Sequence, residues 1–288
     1  MRLASIVRDG RPVPVVVGDR GVAAVEDFWP HLPSDAMALL DEKTWREVTA
    51  SAETAPAEVF APADDVVFTA PYRRPHKIWG IGLNYRDHAA DLSETAPDQP
   101  ASFIKGDHTI VGPDEPIVIP WQSERTTVEA ELGIVIGRYC RNVSEADALD
   151  YVWGVTTILD QTAEDILRQN PRFLTRAKNF PTFFCFGPEL VPLAEVLERF
   201  GAVEDIEVST VVNGDQRRTN TVANMTHRPA SLISFHSQMM PLYPGDIIST
   251  GTPGAIVVAD GDLVEAVIPG IGHLKSTVRA ESRHPQAD

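Results

Sequence analysis

Two glutamates set two residues apart in an apolar, β-branched run are the side chains of this chain best placed to do chemistry. They stand in Thr127-Val128-Glu129-Ala130-Glu131-Leu132-Gly133-Ile134-Val135-Ile136-Gly137, a pattern that predicts a strand. Side chains alternate along a strand, so Glu129 and Glu131 leave one face while Ala130, Leu132, Ile134 and Ile136 cover the other. Two like charges side by side repel, and burial adds a desolvation cost unless a cation or a proton compensates. A second apolar run, Tyr151-Val152-Trp153-Gly154-Val155-Thr156-Thr157-Ile158-Leu159-Asp160, ends on a third carboxylate. Three oxygen donors completed by water and substrate suit Mg²⁺, Mn²⁺ or Ca²⁺. The competing reading is an E-x-E strand with a solvated face, Asp160 being only an N-cap for a helix starting near Thr162.

The elements that must carry these residues belong to an ordinary globular protein. With 43% hydrophobic and 23% charged residues over 288 positions, the chain can bury a large core as one large domain or a large and a small one. A surplus of 41 acids over 25 bases, net charge −16, argues against nucleic acid and anionic membranes as partners. An anionic substrate must then be held by local cations or by metal. Cys140 and Cys185, without paired spacing, read as reduced thiols of a cytoplasmic protein. No stretch approaches the roughly 18 apolar residues of a membrane span, and the N-terminus lacks a long apolar leader.

Turn signals at Asp9-Gly10, Gly18-Asp19 and Arg20-Gly21 break residues 1–27 into short strands, and a helical stretch follows over about 34–51. This reads as a small N-terminal α+β domain, 1–70, joined by an Ala-, Pro- and acid-rich linker over 52–65 to a main body, 71–288. Strands are expected in the body near 77–81, 103–105, 117–119, 129–136, 152–159, 207–212, 246–249 and 262–268. Helices are expected near 85–91, 144–149, 163–169 and 229–238. Many short strands with isolated helices favour a mixed α+β, mainly β fold over a doubly wound sheet.

Four more segments occur in order: Gly80-Ile81-Gly82-Leu83-Asn84-Tyr85-Arg86-Asp87-His88-Ala89-Ala90-Asp91, Ala177-Lys178-Asn179-Phe180, Asn213-Gly214, and Pro244-Gly245-Asp246-Ile247-Ile248-Ser249-Thr250-Gly251-Thr252-Pro253-Gly254. With the E-x-E strand and Asp160-Gln161-Thr162-Ala163, the ordered set resembles the fumarylacetoacetate hydrolase family over roughly residues 75–278. The resemblance implies a β-roll, usually homodimeric, whose members cut or rearrange carbon–carbon bonds of small keto acids around one Mg²⁺ or Mn²⁺. By match to the family's motifs, the metal ligands are Glu129, Glu131 and Asp160.

A 1,3-dicarbonyl or 2-keto acid chelates a divalent cation through two oxygens, and the cation stabilises the enolate left when the adjacent bond breaks. His88 and Asp91, at i and i+3, fit one helical turn, where the carboxylate can orient the imidazole and raise its basicity for deprotonating water. The family usually has Glu at the second position; Asp91 is one methylene shorter. By match to the family's A-K-x-F motif, Lys178, before the aromatic run Phe180, Phe183, Phe184 and Phe186, is the expected electrostatic partner of a developing oxyanion or of the substrate's carboxylate. Lys105, Arg176, Gly251 and Thr252 are expected to contact the substrate. Where many members carry an Arg that grips the substrate's carboxylate, this chain has Glu164, and the family's Gln is Leu167, with Arg168 and Arg176 nearby.

The expected activity is therefore divalent-metal-dependent hydrolysis of a carbon–carbon bond in an acylpyruvate-like 1,3-diketo acid. A 2-keto acid decarboxylase or keto-enol isomerase is the alternative within the family. A metal- and keto-acid-binding protein without turnover is the alternative of another class.

Overall fold

The computed structural model describes residues 1–29, 36–86 and 97–282. Its centre is the antiparallel pair Thr126–Ile136 and Val152–Ala163, built from the β-branched and apolar residues that strands prefer. Every residue of the first strand is buried, so the competing reading of a solvated glutamate face does not hold. Asp160 is likewise no helix cap. It lies inside the second strand, which continues to Ala163 before the helix Glu164–Gln169 begins.

On one side the glutamate strand pairs with Ile247–Ser249, which runs parallel to Ile78–Gly82, itself paired with Ala101–Lys105. On the other side Val152–Ala163 pairs with Glu189–Pro192, which pairs with Arg2–Arg8 through Leu3 and Leu190. Arg11–Gly18 and Gly21–Ala24 continue the same sheet. The strands of the first 70 residues are thus an extension of the main sheet. Leu3, Val16, Trp45 and Val48 share one buried cluster with Val135, Ile158, Phe184 and Ile247, and Trp45 meets Trp153 edge to face at 5.3 Å.

A five-stranded sheet, in the order Asp215–Thr221, Glu207–Val212, Leu263–Ile268, Gly272–Ala280 and Ile117–Ile119, closes over the other face. Val208, Val264, Ala266 and Leu274 join Ala130, Leu132 and Ile134 in a second core cluster. One face of the glutamate strand therefore lies against this sheet. The other carries Glu129 and Glu131 toward one end and the apolar Val135 toward the other.

Several local expectations change. The helix expected over 34–51 is a 3-10 turn, Ala36–Leu40, followed by the α-helix Glu42–Thr54, because Asp41 caps the latter by accepting from the Thr44 amide at 2.8 Å; residues 34 and 35 lie outside the described residues. In place of a helix over 144–149 the chain makes turns and the 3-10 segment Ala148–Tyr151. Asp215–Thr221 is polar and mostly exposed, without the alternation that marks a strand, yet it pairs with Glu207–Val212 across Asn213-Gly214. Both turn residues have positive φ, 54° and 81°, the conformation a two-residue hairpin loop needs. Among the described residues no helix is long and apolar enough to cross a membrane.

Candidate functional site

Strand register assembles the carboxylates. Glu129 is the direct cross-strand partner of Asp160, and Glu131 follows on the same face. One carboxylate oxygen from each lies within 4.8 Å of the other two, although relative exposure is only 8% for Glu129, 2% for Glu131 and 0% for Asp160.

Two ammonium groups answer part of this charge. Lys178 Nζ donates to Glu129 Oε2 at 2.7 Å and to Asp160 Oδ2 at 2.5 Å, and stands 4.8 Å from the Phe103 ring centre. Lys105 Nζ lies 2.6 Å from Asp160 Oδ1. Glu129 Oε2 also accepts from Thr162 Oγ1 at 3.0 Å. Glu131 has neutral partners only: its Oε2 accepts from Ser249 Oγ at 2.5 Å and from the Gly251 amide at 2.8 Å. Three carboxylates against two lysines leave one surplus negative charge, and it shows at Glu131. Burial, with Asp160 and Glu129 adding to it and Lys178 opposing, pushes its carboxyl up to about 8. Burial lowers Lys105 to about 8, offset in part by Asp160. At Lys178 the lowering by burial is outweighed by Asp160, Glu129 and Glu131, so the ammonium is held more firmly than usual.

The donor set fits a hard divalent cation: oxygen only, three carboxylates, rigid strand positions and unbalanced negative charge. Among the described residues Asp160 Oδ1 is buried with no hydrogen bond to it. The raised carboxyl of Glu131 predicts a pH dependence. A carboxyl raised above its unfolded value stabilises the fold below that value and loses this contribution as pH rises through the folded one. Metal-free protein is expected to lose thermal stability between about pH 5 and about pH 8, while the gain in Tm from Mn²⁺, which needs the ionised form, grows over the same interval. Differential scanning fluorimetry in chelator and in Mn²⁺ reads both; a metal-induced gain of the same size at both ends contradicts the assignment.

The Gly251 turn is shaped for its contact. Gly251 has φ +96°, and a Cβ there would stand 2.8 Å from Asn84 Cβ and 3.1 Å from the Ile81 carbonyl oxygen, so only glycine brings this amide to Glu131 without strain. Asn84, which the sequence reading did not single out by itself, holds the neighbouring backbone. Its Nδ2 donates to the carbonyls of Thr250 at 2.7 Å and His227 at 2.8 Å. Thr252 is buried, and its Oγ1 accepts from the Gly254 amide at 3.2 Å, inside the turn. Ser249 and Thr162, the neutral donors to the triad, lie in the quoted motifs, but only register shows where their hydroxyls point.

The structure does not bring every expected residue together. Arg176 is exposed, and two positions around the helix Leu174–Lys178 separate it from Lys178, so the two side chains leave on different sides. Glu164, the reversed charge, is ion-paired with Arg125 and with Arg168, the latter at 3.0 Å. Its charge is met outside the triad, and Arg168 is committed to it. Glu164→Arg is accordingly expected to lower stability by about 1 kcal/mol, since it sets three cations together at a partly exposed position, and to leave substrate preference unchanged. A switch in preferred substrate measured by kcat/KM would contradict that. His88 and Asp91, and most of the helix expected over 85–91, lie outside the described residues. A cleft of 840 Å³ between the helices Glu42–Thr54 and Leu193–Phe200 includes none of the carboxylates or the two site lysines, so cavity size does not locate the chemistry.

Fold and site together define a β-roll enzyme scaffold organised around a buried carboxylate triad on paired strands. The chain belongs to the fumarylacetoacetate hydrolase family: the family model described as Fumarylacetoacetate (FAA) hydrolase C-terminal matches residues 77–279. The mitochondrial oxaloacetate tautomerase Fahd2a of Rattus norvegicus is 31% identical over 260 residues, 88% of this chain and 82% of that one. Maleylpyruvate hydrolase from Sphingobium sp. SYK-6, solved in complex with manganese(II) and pyruvate, superposes with a TM-score of 0.81 at 27% identity, covering 98% of this chain and all of that one. The 5-carboxymethyl-2-hydroxymuconate delta-isomerase of Mycobacterium smegmatis gives a TM-score of 0.78 at 30% identity with the same coverage. The protein is an enzyme of this family.

Proposed function

We propose that the chain hydrolyses a carbon–carbon bond in an acylpyruvate-like 1,3-diketo acid with the help of Mg²⁺ or Mn²⁺. The observation that carries this reading is the buried triad with its surplus negative charge, on a scaffold similar to that of a hydrolase solved with manganese(II) and pyruvate. When bound, a divalent ion supplies Lewis acidity to the two oxygens of a dicarbonyl. It also converts the single surplus negative charge of the site into a single positive one, which suits an anionic substrate in a protein of net charge −16.

The chain's own groups then divide the work. Glu129, Glu131 and Asp160 would hold the ion. Ser249 and the Gly251 amide orient Glu131. Lys178, already at the triad, stabilises negative charge developing on substrate oxygen. His88, with Asp91 as the sequence pairs them, would take a proton from water, whose oxygen adds to the distal carbonyl. The bond between that carbon and the methylene breaks, one carboxylic acid leaves, and the electron pair passes to pyruvate enolate, which gains a proton to give pyruvate. His88→Ala is expected to lower kcat by roughly 10² to 10⁴, as loss of a general base does, with Mn²⁺ affinity unchanged. A matching loss of Mn²⁺ affinity would make His88 a ligand instead.

The rat tautomerase, which matches 88% of this chain, favours a second reading, in which the same site moves a proton between keto and enol forms without hydrolysis. Product analysis with acylpyruvates, oxaloacetate and unsaturated 2-keto acids, with and without Mg²⁺, separates the two. Acid plus pyruvate supports the first; enol–keto conversion alone supports the second. The reading is completed by a homodimer working in the cytoplasm, a setting that suits two buried free cysteines.

A further inference from the structure

We propose that Lys105 is a positioning residue, which fixes Asp160 and the Lys178 helix around the metal seat without touching the substrate. The inference rests on the metal reading above and replaces the substrate contact expected from the sequence.

Lys105 ends the strand Ala101–Lys105, with a side chain only 1% exposed. Its ammonium has three protons. Three backbone carbonyls accept from it, Phe183 at 2.6 Å, Lys178 at 2.7 Å and Gln161 at 3.2 Å, and Asp160 Oδ1 stands 2.6 Å away as an ion pair. No N–H is left for a ligand.

The acceptors come from three segments, two of them neighbouring strands of the sheet that pair at Asp160 and Phe184, the third the short helix that Lys105 ties to both. Asp160 and Gln161 belong to the central strand, Lys178 ends a five-residue helix, and Phe183 precedes the strand Phe184–Phe186. A five-residue helix is too short to hold itself, and a cation on its terminal carbonyl is a favourable anchor. Asn179 braces the same junction: its Oδ1 accepts from the Gly106 amide at 2.8 Å, and its Nδ2 donates to the Ile104 carbonyl at 3.0 Å. Lys178 donates to Oδ2 of Asp160 and the Lys105 ammonium stands 2.6 Å from Oδ1, so the carboxylate is held between two cations. Lys105 thus places one triad carboxylate directly and, through the Lys178 backbone, the ammonium that bonds that same carboxylate and Glu129.

Groups that orient metal ligands typically change metal affinity or activity by 10- to 100-fold when removed. Lys105→Met, close in length and without donors, is expected to bind Mn²⁺ roughly 10- to 100-fold more weakly by titration followed in the electron paramagnetic resonance signal. At saturating Mn²⁺ its kcat should fall while KM for an acylpyruvate stays within about twofold, the split expected when ground-state substrate binding is untouched. Wild-type Mn²⁺ affinity with KM raised about tenfold would overturn the proposal and make Lys105 a substrate contact.

Should the variant not fold, the unmodified enzyme gives the same decision. Its five lysines, Lys43, Lys77, Lys105, Lys178 and Lys275, allow ¹⁵N labelling of the ammonium groups. The Lys105 signal should move on adding Mg²⁺ and not move further on adding pyruvate; a pyruvate-dependent shift as large as that of Lys178 would overturn the proposal. Failure of the unmodified chain to bind any Mn²⁺ would overturn the metal reading together with this inference. A failure confined to the comparison of variant with wild type overturns the inference alone.

Discussion

Glu131→Ala is expected to abolish high-occupancy binding of Mn²⁺ and to lower kcat/KM by about 10³ or more. Lewis-acid stabilisation by a bound metal is worth several kcal/mol, and about 4 kcal/mol corresponds to a thousandfold in rate. Glu131 is the carboxylate of the triad without a lysine partner, so the charge it carries when ionised is not met by a cation of the protein. Removing it also leaves Ser249 Oγ and the Gly251 amide without their common acceptor, a cost of roughly 1 to 3 kcal/mol if no water replaces it. Glu131→Gln separates the two effects, since it keeps an acceptor oxygen and loses the charge. In chelator above about pH 8, Glu131→Gln should be at least as stable as wild type, because an ionised carboxylate no longer has to be buried, yet it should gain little Tm from Mn²⁺. Metal-dependent stabilisation equal to that of wild type would show that Glu131 is not a ligand.

Lys178→Met is the second change with a large expected effect. The ammonium lies on Glu129 Oε2 and Asp160 Oδ2, and cutting a buried ion pair from one side costs about 3 to 5 kcal/mol because the remaining charge stays buried. In the metal-free protein the loss of unfolding free energy should be near that size and should appear as a fall in Tm. In Mn²⁺ it should be smaller, since the cation takes up part of the carboxylates' charge. The loss in kcat, about 10² to 10³ by analogy with removal of one oxyanion donor, should remain at saturating metal. A fall in Tm of the same size with and without Mn²⁺ would mean that Lys178 and the metal do not share these oxygens. Full kcat in the variant would remove Lys178 from the chemistry.

Much of the triad was legible because a strand has a period of two. The spacing of Glu129 and Glu131 assigns both to one face whatever the rest of the fold does. Placing Asp160 opposite Glu129 was not open to the same reasoning. Register across a long connection depends on the bulge at Val135/Ile136 and on both neighbouring strands, and these come from residues far along the chain. The Lys105 cluster was hidden for a related reason, since its three hydrogen-bond acceptors are backbone carbonyls and every residue type has one. Composition over 52–65 marks a linker, but it carries no information on the pairing of Leu3 with Leu190 or on the ion pairs of Arg2 with Glu189 and Glu195. The charge reversal at Glu164 looked like a change in substrate recognition because sequence shows a side chain's charge and not its partners. Arg125, at the start of the glutamate strand, and Arg168 both meet it.

Metal-dependent hydrolysis itself is tested most directly by following one acylpyruvate, such as acetylpyruvate, through turnover by enzyme stripped with chelator and then reloaded with Mg²⁺ or Mn²⁺. The expected result is one acetate and one pyruvate for each substrate consumed, no turnover in the stripped enzyme and full recovery on reloading. Undiminished turnover after exhaustive chelation, or loss of substrate as carbon dioxide or as a tautomer with no acetate released, would contradict it.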